Sequence, residues 1–175
     1  MKRQSLTHLH MTHALDMLDD RITGKLDLLV GGGGAMVMAY NFPLSSMGVE
    51  AIPRGMTIEE LSPIIEKIGH QLNISLDWLN PYFATFIFVL DDQYQSRLVT
   101  VFEGKHLSAK ALGKEDILLM KCFARRDKDI PHVLALIKKG ADLEEVERQL
   151  DVHAQKKTPG VDSATSFLDD VLEQI

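Results

Sequence analysis

"LLVGGGGAMVMAY", residues 28–40, decides how the rest of this chain is read. An apolar run breaks into Gly31, Gly32, Gly33 and Gly34, then resumes with the composition of a helix. Ordering a glycine costs more backbone entropy than ordering any other residue, so four in a row need a structural return. Residues 26–30 form a short apolar run bounded by Gly24 and the glycines, the pattern of a buried strand. Residues 35–40 are too apolar for a surface loop and read as a short buried helix. A strand, a glycine turn and a helix together bring backbone N–H groups and a helix N-terminus up to a phosphate.

Two phosphate loops do not fit. A Walker loop requires Gly-Lys-Ser/Thr after its spacer, and here Gly34 is followed by Ala35 and Met36. A dinucleotide fingerprint requires Gly-x-Gly-x-x-Gly and an acidic residue about 20 positions on. "GGGGAM" lacks the final glycine, and no convincing acidic strand end follows.

Working outward, Met11, Ala14, Leu15, Leu18 and Ile22 recur with helical spacing and predict an amphipathic first helix. Met47, Val49 and Ala51 alternate with Ser46, Gly48 and Glu50 up to Pro53, which predicts a second strand. Thr57 with Glu60 three residues later forms a capping-box signal at the head of the next helix. "ATFIFVL" (84–90) and "RLVTVF" (97–102) are rich in strand-forming residues, and "KHLSA" (105–109) predicts one more strand. After Gly113 the pattern is helical, over 114–126, 131–139 and 142–150. Strands with interleaved helices followed by a helical run indicate an α/β or α+β sheet domain. The expected organisation is one domain over 1–152, a polar linker over 153–160, and a C-terminal amphipathic helix over 161–175. The apolar stripe of that helix, from Val161 to Ile175, either packs on its own domain or is offered to a partner or a second copy.

The chain has 175 residues, 45% of them apolar and 25% charged, the balance of a globular protein. No stretch approaches the roughly 18 consecutive apolar residues of a membrane span. The basic start lacks the apolar core of a secretory signal, and the single Cys122 cannot form an internal disulfide. The expected compartment is cytoplasmic, with no membrane partner. A net charge of −6 disfavours extended DNA binding, because proteins that neutralise many phosphates carry the opposite sign.

The glycine run, "LDWLN" at 76–80 and above all "EDILLMKCFARRDKDIPHVLAL" at 115–136 resemble, in that order, the nucleotidyltransferase fold of the DNA polymerase beta superfamily. The chain is similar to its branch akin to the AbiEii toxins of type IV toxin–antitoxin systems, over residues 10 to 140. The resemblance implies a nucleotidyltransferase-like mixed sheet flanked by helices and followed by a helical part. It implies an attack on the α-phosphorus of an NTP, with two metal ions stabilising the attacking and leaving oxygens. It further implies a nucleotide site of Gly31, Gly32, Gly33, Gly34 and Ser46, joined by Lys121 and Arg125. Lys121 and Asp129 would take part in catalysis, Lys121 at the phosphates and Asp129 orienting nearby.

The departure lies in the next strand. Where the family carries Asp-x-Asp, the alignment of Ser45, Ser46, Met47, Gly48, Val49 and Glu50 puts Gly48 at the first carboxylate and Glu50 at the second. Glu50 is then both the metal ligand and the remaining catalytic carboxylate of the strand. Two divalent cations would be under-compensated by it alone, so Mg²⁺ is expected to bind weakly or not at all. Asp91, Asp92 or Glu103 are candidates for a further oxygen, and Gly48→Asp is expected to leave folding intact. The expected function is a degenerate nucleotidyltransferase-fold protein that binds a nucleotide or phosphate group as a regulatory or binding partner. The alternative is an active, metal-dependent, toxin-like enzyme that moves NMP from NTP to an RNA or protein acceptor.

Lys114, Lys121, Arg125 and Lys128 fall on one stripe if a single helix carries them all. Lys121 sits among apolar neighbours and must reach either solvent or an anion, so it is a phosphate ligand or the partner of Asp127, Asp129 or Glu50. Three further readings are plainer. His8, His10 and His13 do not share a helix face, which speaks against a metal set. Cys122 is expected in the core and Trp78 as a packing anchor, and the pairs Asp91–Asp92 and Asp169–Asp170 read as solvated ends.

Overall fold

A computed structural model describes residues 5–43 and 46–175. Ser45, at the head of the aligned strand motif, lies outside the described residues. The chain divides into two compact units, Met1–Ala84 with Leu98–Leu112, and Thr85–Arg97 with Gly113–Ile175.

The first unit is built on a five-stranded mixed sheet of order β3-β2-β1-β5-β4. Its strands are β1 (Leu26–Gly31), β2 (Val49–Arg54), β3 (Leu79–Asn80), β4 (Val99–Glu103) and β5 (Leu107–Ala111). Central β1 pairs antiparallel with β2 and parallel with β5. Its inner residues Leu28, Leu29 and Val30 are buried, as a strand covered on both faces must be. Three helices accompany the sheet: α1 (His8–Asp19), α2 (Gly32–Tyr40) and α3 (Ile58–Leu72).

Local chemistry sets the helix starts. Thr57 and Glu60 form the expected capping box, with Glu60 Oε2 accepting from the Thr57 N–H at 2.7 Å and Thr57 Oγ1 accepting from the Glu60 N–H at 3.2 Å. Thr7 caps α1 in the same manner with His10 as its reciprocal partner, so His10 is a capping residue. Trp78 is the anchor its size suggests, fully buried and donating from Nε1 to the Ile65 carbonyl at 3.0 Å.

Residues 84–90 depart from the strand expectation. The chain runs through 3₁₀ turns over Tyr82–Val89. The Asn80 side chain accepts the Tyr82 N–H and the Pro81 carbonyl accepts the Ala84 N–H, so the backbone begins to turn at Pro81. Aromatic and β-branched composition favours a strand only where a pleated neighbour is present, and β3 is paired over two residues only.

The second unit is helical: α4 (Lys114–Ala124), α5 (Ile130–Lys138), α6 (Leu143–Gln155) and α7 (Val161–Leu172), with short 3₁₀ turns at Tyr94–Arg97 and Asp127–Asp129. Two cations brace it at the N-terminal end of α4. Arg97 grips buried Asp116 with two bonds of 3.0 and 2.7 Å and also holds Asp91 at 2.6 Å. Asp91 is therefore an ion-pair partner and not a solvated end. The ammonium of Lys114 donates to the carbonyls of Lys139 and Gly140 just beyond α5, groups a helix end leaves without partners. Helix α7 buries Val161, Ala164, Leu168 and Val171 and packs on α4 and α6. The polar stretch that begins at residue 153 starts inside α6, where His153 is buried. Among the described residues no helix is long and apolar enough to cross a membrane.

Candidate functional site

Strand β1 runs directly into α2 at the glycines. Gly32 takes a φ of +56°, a conformation that side chains resist. A Cβ there would overlap the carboxylate of Glu50, which lies against the turn from the neighbouring strand. Register explains the meeting, because Glu50 pairs with Gly31 on one side and Asn80 on the other. The remaining glycines are held close as well. A Cβ on Gly31 would press the Phe83 ring at 2.9 Å, and one on Gly33 would stand 3.2 Å from Ser46 Oγ. One on Gly34 would approach the Val49 backbone at 3.3 Å. Gly34 is thus hemmed in by backbone and Gly31, Gly32 and Gly33 by side chains, and the expected group of Gly31, Gly32, Gly33, Gly34, Ser46 and Glu50 is brought together.

The electrostatics of this turn follow from its position. It is the N-terminal end of α2, where peptide dipoles and unpaired N–H groups favour negative charge. The Glu50 carboxylate already lies there, so an incoming phosphate meets an anion from the chain itself.

Gly48 is closed from behind. A Cβ on it would stand 2.6 Å from the carbonyl oxygen of Trp78, itself bonded to the Val49 N–H. A side chain at this position therefore displaces backbone, and the expectation that Gly48→Asp leaves folding intact is corrected on that ground. Two of the candidates for a further oxygen are engaged by other partners. Glu103 lies on β4, three strand spacings or about 14 Å across the sheet from β2, and accepts a bond from Ser108. Asp91 is held by Arg97. Among the described residues no group of three or more His, Cys, Asp or Glu is placed to hold a metal ion. Of the two aligned carboxylate positions, Gly48 and Glu50, only the second carries one, so the strand motif does not supply the ligand pair of a two-metal centre.

The second unit gathers Lys121 and Asp129. Lys121 is 4% exposed, and its ammonium donates to Asp129 Oδ1 at 2.9 Å and to His132 Nδ1 at 2.8 Å. Arg126 donates to the other oxygen of Asp129 from Nε at 2.7 Å. Burial alone would raise the pKa of the Asp129 carboxyl, but the bond from Arg126 and the charge of Lys121 outweigh it and hold it below the usual range. For His132 burial and the Lys121 charge act together and hold the ring at about 4. An ammonium only donates, so His132 Nδ1 accepts and its proton resides on Nε2. Of the two readings of Lys121, the internal ion pair is present, with Asp129 as partner.

Arg125 does not join it. Helix α4 ends at Ala124 and Arg125 turns left-handed at φ +52°, exposed. The stripe of Lys114, Lys121, Arg125 and Lys128 is broken there. Cys122 lies in the core, its thiol pushed up to about 12 by burial and then by the Asp129 charge. His132 and Arg126 are the members sequence reasoning missed. Arg126 stands three residues before Asp129, a local spacing that signals a pair, whereas His132 reaches Lys121 only because α5 folds back along α4.

A family model described as "Nucleotidyltransferase of unknown function (DUF6036)" matches residues 8–166. The chain belongs to that family. No curated protein and no solved structure matches it.

Proposed function

We propose that this member of a nucleotidyltransferase family binds a nucleotide or phosphate group at the β1–α2 glycine turn and does not transfer it efficiently, acting as a binding or regulatory partner. The observation that carries the reading is the meeting of Glu50 with Gly32 at the head of α2. It sets a helix N-terminus, the kind of end that attracts phosphate, beside one carboxylate, where metal-assisted nucleotidyl transfer uses two ions. The closed position at Gly48 and the engagement of Lys121 by Asp129 and His132 point the same way. Kinship with the AbiEii toxins, and a role beside an antitoxin, belong to this proposal and rest on sequence resemblance.

Melting temperature in the presence of each NTP, with and without Mg²⁺ or Mn²⁺, tests it, since a ligand of the native state stabilises by about 2.7 kcal/mol at 100 times its Kd. The expected result is a shift with at least one NTP, present without metal and enlarged in Glu50→Gln, and no pyrophosphate release. Release of pyrophosphate in the presence of Mg²⁺ would overturn the reading in favour of the enzyme. Absence of a shift with every NTP at millimolar concentration would overturn binding itself.

A further inference from the structure

A cleft of about 390 Å³ opens in the second unit, and of the residues considered above for nucleotidyl transfer its lining includes Asp91 alone. One wall is the segment around Phe88, and the other is the last turns of α6 with the link into α7. Its volume is within the range of small-molecule sites. Three observations describe what it would accept.

The first is a fixed apolar wall. Phe88 is 49% exposed, yet its ring stands edge-on to Phe123 at 5.5 Å between centroids. His153 braces the same wall, stacked edge-on to Phe123, its Nε2 at 3.0 Å from the Val89 carbonyl and its Nδ1 at 2.9 Å from Thr158 Oγ1. A carbonyl only accepts, so Nε2 carries the proton and Nδ1 accepts from the threonine. Aromatic surface held rigid and partly exposed is the kind a flat ring packs on.

The second is charge. Lys156 and Lys157 line the cleft, exposed, beside Arg148, which Glu145 holds at 2.7 Å, and Asp91, which Arg97 already pairs. In a chain of net charge −6, a concave site with this local excess of cations is matched to an anion.

The third is an acceptor without a donor. Gln149 lines the cleft and is 3% exposed. Its Nε2 donates to Glu145 Oε1 at 2.8 Å, which fixes the amide orientation, because a carboxylate cannot accept from the oxygen end. Gln149 Oε1 is thereby left buried with no partner among the described residues. A buried acceptor left unpaired is unfavourable, so a ligand N–H or O–H that reached it would be selected over an analogue lacking one.

We infer that this cleft binds a small amphipathic anion: a flat apolar ring against Phe88, a phosphate or carboxylate at Lys156 and Lys157, and one N–H or O–H donor to Gln149. The inference stands on the second unit alone and does not rest on nucleotide binding at the glycine turn.

The test is an NMR titration of the ¹⁵N-labelled full chain with 4-aminophenyl phosphate, phenyl phosphate, aniline and inorganic phosphate. The expected result is a saturable shift of amides in 88–91 and 148–158 with 4-aminophenyl phosphate, and affinity at least tenfold lower for each of the other three. The double variant Lys156→Glu/Lys157→Glu, both positions exposed, should weaken binding at least tenfold while the spectrum elsewhere stays that of the folded protein. Gln149→Leu should remove the preference for the amino compound. No saturable shift, shifts confined to residues 31–34, equal affinity for all four compounds, or indifference to the double charge reversal would each overturn it.

Discussion

Glu50 and Gly32 are the residues on which the candidate site turns, and their contact makes a measurable prediction. Gly32→Ala places a methyl group at a positive φ, costing roughly 1–2 kcal/mol, and drives it into the Glu50 carboxylate. Removing that carboxylate with Glu50→Ala relieves the second part and leaves the first. In urea denaturation the double variant should therefore lose less stability than the sum of the singles, with a coupling of about 0.5–3 kcal/mol. Strict additivity would show that the side chain does not lie against the turn in solution. Much of this was legible in the residues, since four glycines after an apolar strand announce a close approach. That Glu50 would be the group approaching was not, because it depends on the register of β2 against β1.

At the scale of elements, the β4–β5 hairpin is secured by a residue no motif singled out. Asp19, in the last turn of α1, accepts the backbone N–H groups of Lys105, His106 and Leu107 at 2.7–2.8 Å. Burial works to raise its pKa, but these backbone donors outweigh it and hold the carboxyl below its ordinary value. The carboxylate comes so close to the turn that a Cβ on Gly104 would stand 2.5 Å from it. Asp19→Asn replaces one acceptor oxygen by a donor facing an N–H group. It should cost about 1–3 kcal/mol, read from the urea midpoint, with faster amide exchange concentrated at residues 104–107. Unchanged exchange there would place the clamp elsewhere. The helix starts, by contrast, were readable from Thr57 and Glu60 because a cap is closed within four residues. Residues 84–90 were not, because their composition matches a strand and only the sheet decides whether a partner edge exists.

For the whole molecule, the buried charges set the pH dependence of folding. His132 is held at about 4 in the folded chain against an ordinary 6.5. Between those values the unfolded chain binds a proton that the folded chain does not. The stability due to neutral His132 is therefore complete above about pH 6.5 and is lost as pH falls towards 4, with a slope of at most about 1.4 kcal/mol per unit. Asp129, held low, loses its contribution only below its ordinary value of 3.8. Asp116 acts in the opposite sense, since burial raises its carboxyl pKa against the pull of Arg97. The difference between the wild type and His132→Gln isolates the histidine, as glutamine still offers Lys121 an acceptor. That variant should show a flatter profile of urea midpoint between pH 4 and 6.5, and parallel profiles would remove His132 from the account.

By itself the order of residues determined the strand–glycine–helix start, the capped helices, the mixed α/β class and the helical second half. Each of these follows from hydrophobic period and from hydrogen bonds closed within a few positions. It also carried enough of a motif to indicate a nucleotidyltransferase relative, and the family match over residues 8–166 agrees. Only the tertiary structure decided that Gly48 is backed by the Trp78 carbonyl, that Lys121 is engaged by Asp129 and His132, and that Gln149 keeps an unpaired oxygen beside a cationic cleft. The physical reason is common to all three. Each depends on how one element packs against another, and such contacts are set by strand register and helix packing, not by the local pattern of residues.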